Sequence, residues 1–418
     1  MAEPSGLNQI SPEHLLTLYQ ITSSINTSLE FEEVLNMVMD AVMHVTKAQR
    51  GVLMMADEAG ELHAHVVRGD RDDAENAYSR TIIHEVVRTR QSLLTNNAQF
   101  DQRYKPGESI IMRGLRAILC APMLVKGRLV GVIYCDTSLR HGIFTESDLA
   151  LLDVVAGQAG IAIENARLYR VAVEKGRLER ELQMAREIQE SLLPRQMPDL
   201  QGYEVAARWR SAREVAGDFY DLFQLDHGSM GMVIADVSDK GAPAALFMAS
   251  ARSVIRSHAF AGFSPLDTLL RTNTLLLQDS EGGMFVTAYH SQFRQGGASL
   301  HINAGHNPPF FMQAATGQIQ MLPIGGRAIG WFEDNPMRAV ELQLTPGDVI
   351  VYYTDGLTDA ENIYGECYGV ERLARVIRES VGLSADGVLA YIVDSVDAFC
   401  VDAPVLDDLT LVVIRYTG

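Results

Sequence analysis

Four apolar runs, far apart along the chain, each carry an aspartate at one end: Asp218 in AGDFYD, Asp236 in MVIADVSDKG, Asp355 in VIVYYTDGLTDA and Asp407 in PVLDDLTLVVIR. A carboxylate at the end of a buried strand is costly unless it is paired, hydrogen-bonded or neutralised. No matching set of Lys or Arg accompanies the four. Divalent metal is therefore the economical neutraliser, and the fold has to bring the strand ends together. Hard oxygen ligands suit Mg²⁺ or Mn²⁺, whereas the absence of paired His or Cys argues against zinc. Two such ions can clamp both sides of an in-line displacement at phosphorus, which is phosphate-ester hydrolysis chemistry. In EVAGDFYD, Glu214 and Asp221 compete with Asp218 for its role. Asp408 reads as a turn acceptor or as support for a ligand, and Asp359 and Glu361 as solvated loop charges. Asn303 and His306 in NAGHNPP shape a turn through side-chain-to-backbone bonds.

At 418 residues the chain exceeds one compact core and predicts two or three domains. With 47% hydrophobic and 21% charged residues it reads as globular. The net charge of −18, with no segment dominated by Lys and Arg, argues against nucleic acid as a partner. The start, MAEPSGLNQISPEHLL, lacks a basic segment followed by an apolar block, and no run of about twenty apolar residues follows. A soluble cytoplasmic protein without membrane contact is the expectation. The cysteines, Cys120, Cys135, Cys367 and Cys400, show no metal-ligand spacing and are expected to be reduced and mostly buried.

Periodicity predicts helices in LLTLYQITSSI and, after a Ser28 that could cap, in FEEVLNMVMDAVMHVT. Two strand-like runs in RGVLMMADEAGELHAHVVRG, a helix around IIHEVVRT, a polar loop and a hairpin turning at Lys126-Gly127 follow. A long helix opens at Thr145-x-x-Asp148. The pattern is an antiparallel sheet with helices outside it. From Leu168 to Leu192, positions 168, 171, 175, 178, 182, 185, 189 and 192 alternate by three and four and are mostly apolar, with Lys175 and Gln189 as the polar exceptions. Two readings stay open: a coiled-coil seam between two copies, and a single helix packed on its own domain. Pro194 and Pro198 stop it. Beyond them β-rich runs predominate, among them YEVAARWRS, GMVIADVSD, MFVTAYHSQF, SLHINAGHN, DVIVYYTDG and LTLVVIRY. Helical patterns in GAPAALFMASARSVIRSHAF, PLDTLLRTNTLLLQD and VERLARVIRESV lie between some of them. A layered sandwich carrying helices fits this mixture.

RGVLMMAD, SLLTNNAQFD, APMLVKGRLVGVIYCD and FTESDLALL, in that order, give the N-terminal part its resemblance to a GAF domain, a small α+β sensory module. It departs from the cyclic-nucleotide-binding subset, having no Asn-Lys…Phe…Asp-Glu series. Cys120 and Cys135 lie in apolar strands and read as core rather than as bilin attachment sites. The C-terminal part, through AREIQESLLP, REVAGDFYD, IADVSDKGAPAALFMA, MFVTAYH, INAGHNPP, TPGDVIVYYTDGLTDAEN, YGVERL and DDLTLVVI, resembles the PPM-type, protein phosphatase 2C-like serine/threonine phosphatases of the bacterial SpoIIE-like branch.

The resemblance implies an α+β chain with a GAF sensor over residues 1–167, a helical coiled-coil linker over 168–195 and an αββα phosphatase sandwich over 196–418. It places two Mn²⁺ or Mg²⁺ ions on Asp218, Asp236, Asp355 and Asp407, with the backbone carbonyl of Val237 contributing. It implies a phosphorylated regulator of the anti-sigma-factor antagonist type as substrate and a small-molecule or protein input to the GAF domain, while the seam reading of the linker spacing gives a homodimer through the linker and GAF domain. Two departures matter. Asp239 stands where many relatives have Gly, and the Arg and general-acid His of eukaryotic-type relatives have no clear counterpart, leaving Arg213 and Lys240 as phosphate contacts to consider. Outside this reading stand a non-catalytic phosphoprotein-binding scaffold and a two-metal nucleotidyl cyclase.

Overall fold

The computed structural model describes residues 28, 30–69, 78–96, 115–138, 143–225, 228–279, 283–401 and 403–418. The helical pattern LLTLYQITSSI and most of the polar loop before the second hairpin lie outside them. The chain divides into two compact units, Met1–Arg177 and Leu178–Gly418.

In the first unit, α1 (Phe31–Thr46) precedes β1 (Arg50–Ala56), β2 (Leu62–Arg68), α2 (Arg80–Thr89), β3 (Leu93–Thr95), β4 (Leu115–Val125) and β5 (Arg128–Ser138). The strands form one antiparallel sheet in the order β2-β1-β5-β4-β3. Lys126 and Gly127 turn the β4–β5 hairpin with φ of 50° and 80°, the two positive values that a tight primed turn needs to follow strand twist. One face of the sheet is covered by α1, through Val34, Leu35, Val38 and Met39, and by the start of α3 (Glu146–Leu192), through Leu152, Val155, Ala159 and Ile163. The other face carries α2, with Ile82, Ile83 and Val86 over Val52, Ile118, Cys120 and Tyr134. Thr145 and Asp148 exchange hydrogen bonds, Asp148 N–H to Thr145 Oγ1 at 3.2 Å and Thr145 N–H to Asp148 Oδ2 at 2.8 Å, closing the expected capping box. Ser28 does not cap α1. The cap position is Glu30, and Ser28 Oγ instead accepts from the Glu30 N–H and donates to Glu33.

By length and composition α3 is long and apolar enough to cross a membrane, yet half of its most apolar window is buried inside the protein, as in a core helix. Cys120 and Cys135 are core residues, but Cys367 is exposed, contrary to the expectation of burial.

The second unit is a four-layer sandwich. One antiparallel sheet has the order β13-β10-β9-β8-β7 and the other β12-β11-β14-β15-β6. Their strands are β6 (Tyr203–Arg210), β7 (Phe219–Leu225), β8 (Ser229–Val237), β9 (Val286–Arg294), β10 (Ala298–Ala304), β11 (Phe310–Met312), β12 (Ile319–Met321), β13 (Ala339–Gln343), β14 (Val349–Tyr353) and β15 (Leu409–Tyr416). Between the sheets pack Tyr220, Met232, Ile234, Tyr289, Phe293, Ile350, Tyr352, Val412 and Ile414. Helices α4 (Ala242–Phe260) and α5 (Pro265–Asp279) cover the first sheet. After a single turn, α6 (Asp355–Thr358), helices α7 (Val370–Glu379) and α8 (Ala385–Phe399) cover the second. Strand β7 and helix α8 were not among the elements expected from the sequence: Asp221 interrupts the apolar run of β7, whereas α8 does carry a helical stripe in Ala385, Val388, Ile392 and Val396.

Two histidines are locked into this sandwich in neutral form. Burial pushes His290 down to about 4 and His301 down to about 3. His301 bonds Ser291 and Ser299 at 2.9 Å each and packs edge-on against Phe293. In the unfolded chain both imidazoles take up a proton near pH 6.5. Between that pH and about 4 the unfolded state therefore holds more protons, and stability fully present above pH 6.5 is lost as pH falls. Each histidine should cost about 2 kcal/mol on going from pH 7.5 to 5.0. Both tryptophans, Trp209 and Trp331, lie in this unit, so urea unfolding followed by their fluorescence measures it. The raised carboxyls of Asp218 and Asp236 act in the opposite direction over this window, so the expected result is a difference: going from pH 7.5 to 5.0, the unaltered protein loses about 2 kcal/mol relative to His290→Phe.

Candidate metal centre

Antiparallel register brings the four aspartates to one end of the sandwich in two pairs. In the first sheet Phe219 lies opposite Ala235, so Asp218, just before β7, stands next to Asp236 near the end of β8. In the second sheet Tyr353 lies opposite Leu411, and the Thr354 N–H continues the ladder to the Thr410 carbonyl at 3.0 Å. Asp355, opening α6, and Asp407, just before β15, follow from that pairing. Side chains bridge the two sheets. The hydroxyls of Thr354 and Thr410 both donate to Asp218 Oδ2, at 2.6 and 2.8 Å, and all three residues are buried.

The carboxyls share one electrostatic environment. Burial and then the charge of Asp236 push Asp218 well above the carboxylate range, against the pull of the two threonine hydroxyls. Asp236 is pushed up to about 7, by burial first and by Asp355, while a hydrogen bond from the Asp218 carboxyl opposes the rise. Burial, Asp407 and Asp359 raise Asp355. Such mutual elevation marks a surplus of negative charge that a cation would relieve.

Among the described residues, no three Asp, Glu, His or Cys side chains stand together as a ready metal cage. The side chains are engaged otherwise: Asp218 with Asp236 and the threonines, and Asp407 Oδ2 with Lys240 Nζ at 2.8 Å. The donor set nevertheless fits hard divalent ions, being all oxygen and short of positive charge. The backbone is cut to bring its oxygens close. A Cβ on Gly217 would lie 3.1 Å from the Val237 carbonyl oxygen, and one on Gly356 only 1.8 Å from the Asp408 carbonyl oxygen.

The competing carboxylates are placed elsewhere. Asp221 is buried beneath α4, where Arg256 bonds both its oxygens at 2.7 and 2.9 Å and Arg252 approaches to 3.1 Å. Glu214 is exposed. Asp408 accepts the Ala212 and Gly217 N–H groups at 2.8 and 2.9 Å, the turn-acceptor role read from sequence. Asp239 is exposed, in left-handed backbone with φ of 78°, and its carboxylate accepts the Lys240 N–H. Asn303 closes the NAGH turn through the His306 N–H and carbonyl. His306 is buried, its imidazole pushed down to about 4 by burial.

Sequence reasoning missed Gln189. It sits in the last turns of α3, 5% exposed, and its amide grips the Ala216 backbone from both sides: Nε2 donates to the Ala216 carbonyl at 2.9 Å and Oε1 accepts the Ala216 N–H at 3.1 Å. Ala216 is two residues before Asp218. The spacing that suggested a coiled-coil seam divides accordingly. Leu168, Val171, Lys175 and Leu178 are exposed, Leu182, Ala185 and Leu192 are half-buried, and Gln189 is turned into its own unit. The Trp209 indole N–H also holds this loop, donating to the Asp218 carbonyl at 3.0 Å.

Comparisons with known proteins agree with both halves. Residues 226–417 match the family model of stage II sporulation protein E (SpoIIE), and residues 28–164 match that of the GAF domain. Protein IcfG of Synechocystis sp. is 30% identical over 265 residues, covering 56% of this chain and 41% of IcfG. The phosphoserine phosphatase RsbU of Bacillus subtilis is 28% identical over 281 residues, covering 66% of this chain and 81% of RsbU. The fold is similar to that of the SiaA-PP2C domain of Pseudomonas aeruginosa, with a TM-score of 0.51 at 23% identity over 59% of this chain and 99% of that one. The chain thus joins a segment similar to the GAF domain to a segment similar to SpoIIE that has the protein phosphatase 2C fold.

Proposed function

We propose that this chain is a Mn²⁺- or Mg²⁺-dependent phosphatase acting on a phosphoserine or phosphothreonine regulator of the anti-sigma-factor antagonist type. A GAF sensor over residues 1–167 would regulate a catalytic domain over 196–418 through the linker 168–195. The observation that carries the reading is the convergence of Asp218, Asp236, Asp355 and Asp407 at one end of the sandwich, where burial first and neighbouring carboxylates second raise Asp218, Asp236 and Asp355. RsbU, named as a phosphoserine phosphatase, supports the substrate class. These four residues and the Val237 carbonyl would hold two ions. When bound, the ions supply the positive charge that acidifies water and polarises a phosphoryl group.

The protein's own groups orient that chemistry. Thr354 and Thr410 fix the Asp218 carboxylate, and Asp408, Trp209 and Gln189 fix the loop before it. Arg213 is exposed on that loop and free to meet a substrate phosphate. Regulation would run through Gln189, because any shift of α3 that breaks its grip on Ala216 loosens the approach to Asp218. Leu168, Val171 and Leu178 would form the dimer seam on the open half of the linker. A cytoplasmic location accords with the reading.

Phosphate release from a phosphoserine peptide should require Mn²⁺ or Mg²⁺ and stop with chelator. Asp236→Asn and Asp355→Asn should each lower kcat at least about a hundredfold, the scale of losing one electrostatic catalytic group. Full activity in either variant would overturn the assignment. Conversion of GTP or ATP would favour the cyclase, and phosphopeptide binding without release the scaffold. Gln189→Leu leaves two buried backbone groups of Ala216 unsatisfied, a local cost of about 1–3 kcal/mol each. It should reduce activity about tenfold and raise the Mn²⁺ concentration for half-activation, as read from a metal titration of the rate.

A further inference from the structure

Among the described residues, Lys240 is the one cationic side chain within ion-pair distance of any of the four aspartates. Its Nζ lies 2.8 Å from Asp407 Oδ2 and 3.3 Å from the Leu406 carbonyl oxygen. The other Asp407 oxygen accepts the Asp408 N–H at 3.0 Å, so the carboxylate is engaged on both sides. The turn is shaped for this contact. Asp239 takes up left-handed backbone that a non-glycine residue rarely adopts, and its own carboxylate secures the Lys240 N–H at 2.9 Å. Lys240 thus leaves a fixed turn directly after Asp236 and Val237 and reaches across to the strand pair of the opposite sheet.

A divalent ion drawn to Asp407 meets this ammonium. The ammonium takes one of the lone-pair directions on Asp407 Oδ2 that an ion would use, and the two cations repel. On the basis of the metal-dependent reading above, we infer that Lys240 is the built-in counter-ion of the metal-free site, which an incoming divalent ion must displace from Asp407. Lys240 is then a positioning residue for metal loading: it keeps the carboxylates from repelling one another when metal is scarce, and it sets how much metal is needed to replace it. Released from Asp407, its flexible stem leaves the ammonium beside the site, where it can meet an anionic substrate. Both partners are partly exposed, with side-chain exposures of 44% and 39%, so the effect is that of a solvent-screened pair rather than a buried one.

The test is direct binding of Mn²⁺ to the full-length chain, followed by the loss of the free-ion electron paramagnetic resonance signal, in the unaltered protein, Lys240→Met and Lys240→Arg. Lys240→Met should bind the more weakly held Mn²⁺ about two- to fivefold more tightly, the factor expected for removing one exposed competing charge. Lys240→Arg, which keeps the charge, should stay near the unaltered protein. Thermal melting gives a second readout. Without metal Lys240→Met should melt lower than the unaltered protein, and saturating Mn²⁺ should raise its melting temperature by the larger amount. Equal or weaker Mn²⁺ binding by Lys240→Met, or equal stabilisation of both proteins, overturns the counter-ion role alone. An unaltered protein that binds no Mn²⁺ overturns the metal-dependent reading and this inference with it.

Discussion

The burial of Asp218 is the constraint on which the second unit is organised. A carboxyl 2% exposed must have partners, and its partners come from both sheets: Asp236 beside it, and Thr354 and Thr410 across the sandwich. Those contacts exist only if β7 pairs with β8 and β14 with β15 in the observed registers, because a slip of one residue turns every side chain to the other face. The same end of the sandwich therefore fixes strand register and collects acidic oxygens. Each hydroxyl contact is modest in net worth, but leaving the buried carboxyl without them would cost more than the contacts themselves contribute.

Much of this was legible in the sequence. Apolar runs punctuated by aspartate located β8, β14 and β15, and the Lys126-Gly127 and Thr145-x-x-Asp148 signals located a turn and a helix start, because each depends on neighbours in the chain. What the sequence hid was long-range pairing. Nothing local says that the residue following β14 and the second residue of β15 point their hydroxyls at the residue preceding β7. Strand β7 was hidden because Asp221 breaks its apolar alternation. Only with α4 in place does it become clear that Arg252 and Arg256 neutralise Asp221, which removes it as a rival to Asp218. Gln189 was misleading for the opposite reason: it fits the three-and-four spacing of a seam, and a seam position and an inward-facing position on a single helix obey the same period.

Charge is distributed unevenly between two kinds of buried acid. Asp221 has two arginines, yet burial still raises it; its role is to tie β7 to α4, and a pair of this kind is costly to break from one side. Among the described residues, Asp218, Asp236 and Asp355 have no cationic side chain within ion-pair distance, and burial together with a neighbouring carboxylate raises the proton affinity of each. A fold that needed only stability could replace them by neutral residues of similar volume. Keeping the carboxylates where they oppose one another makes sense when a cation of higher charge than lysine completes them.

The loop from Ser211 to Gly217 is held by two attachments of different kinds. It is held at Ala212 and Gly217 by Asp408, which belongs to the rigid β15 end, and at Ala216 by Gln189, which belongs to α3. The first attachment moves only if the sandwich opens. The second moves if one helix turns or slides by a fraction of its pitch, since both hydrogen bonds end on a single side chain. Neither bond belongs to a strand ladder, and losing them releases the peptide two residues before Asp218. The free-energy difference between held and released loops is then set by a pair of hydrogen bonds, a few kcal/mol at most. That is the scale on which a signal of ordinary binding strength can shift a two-state equilibrium from one side to the other.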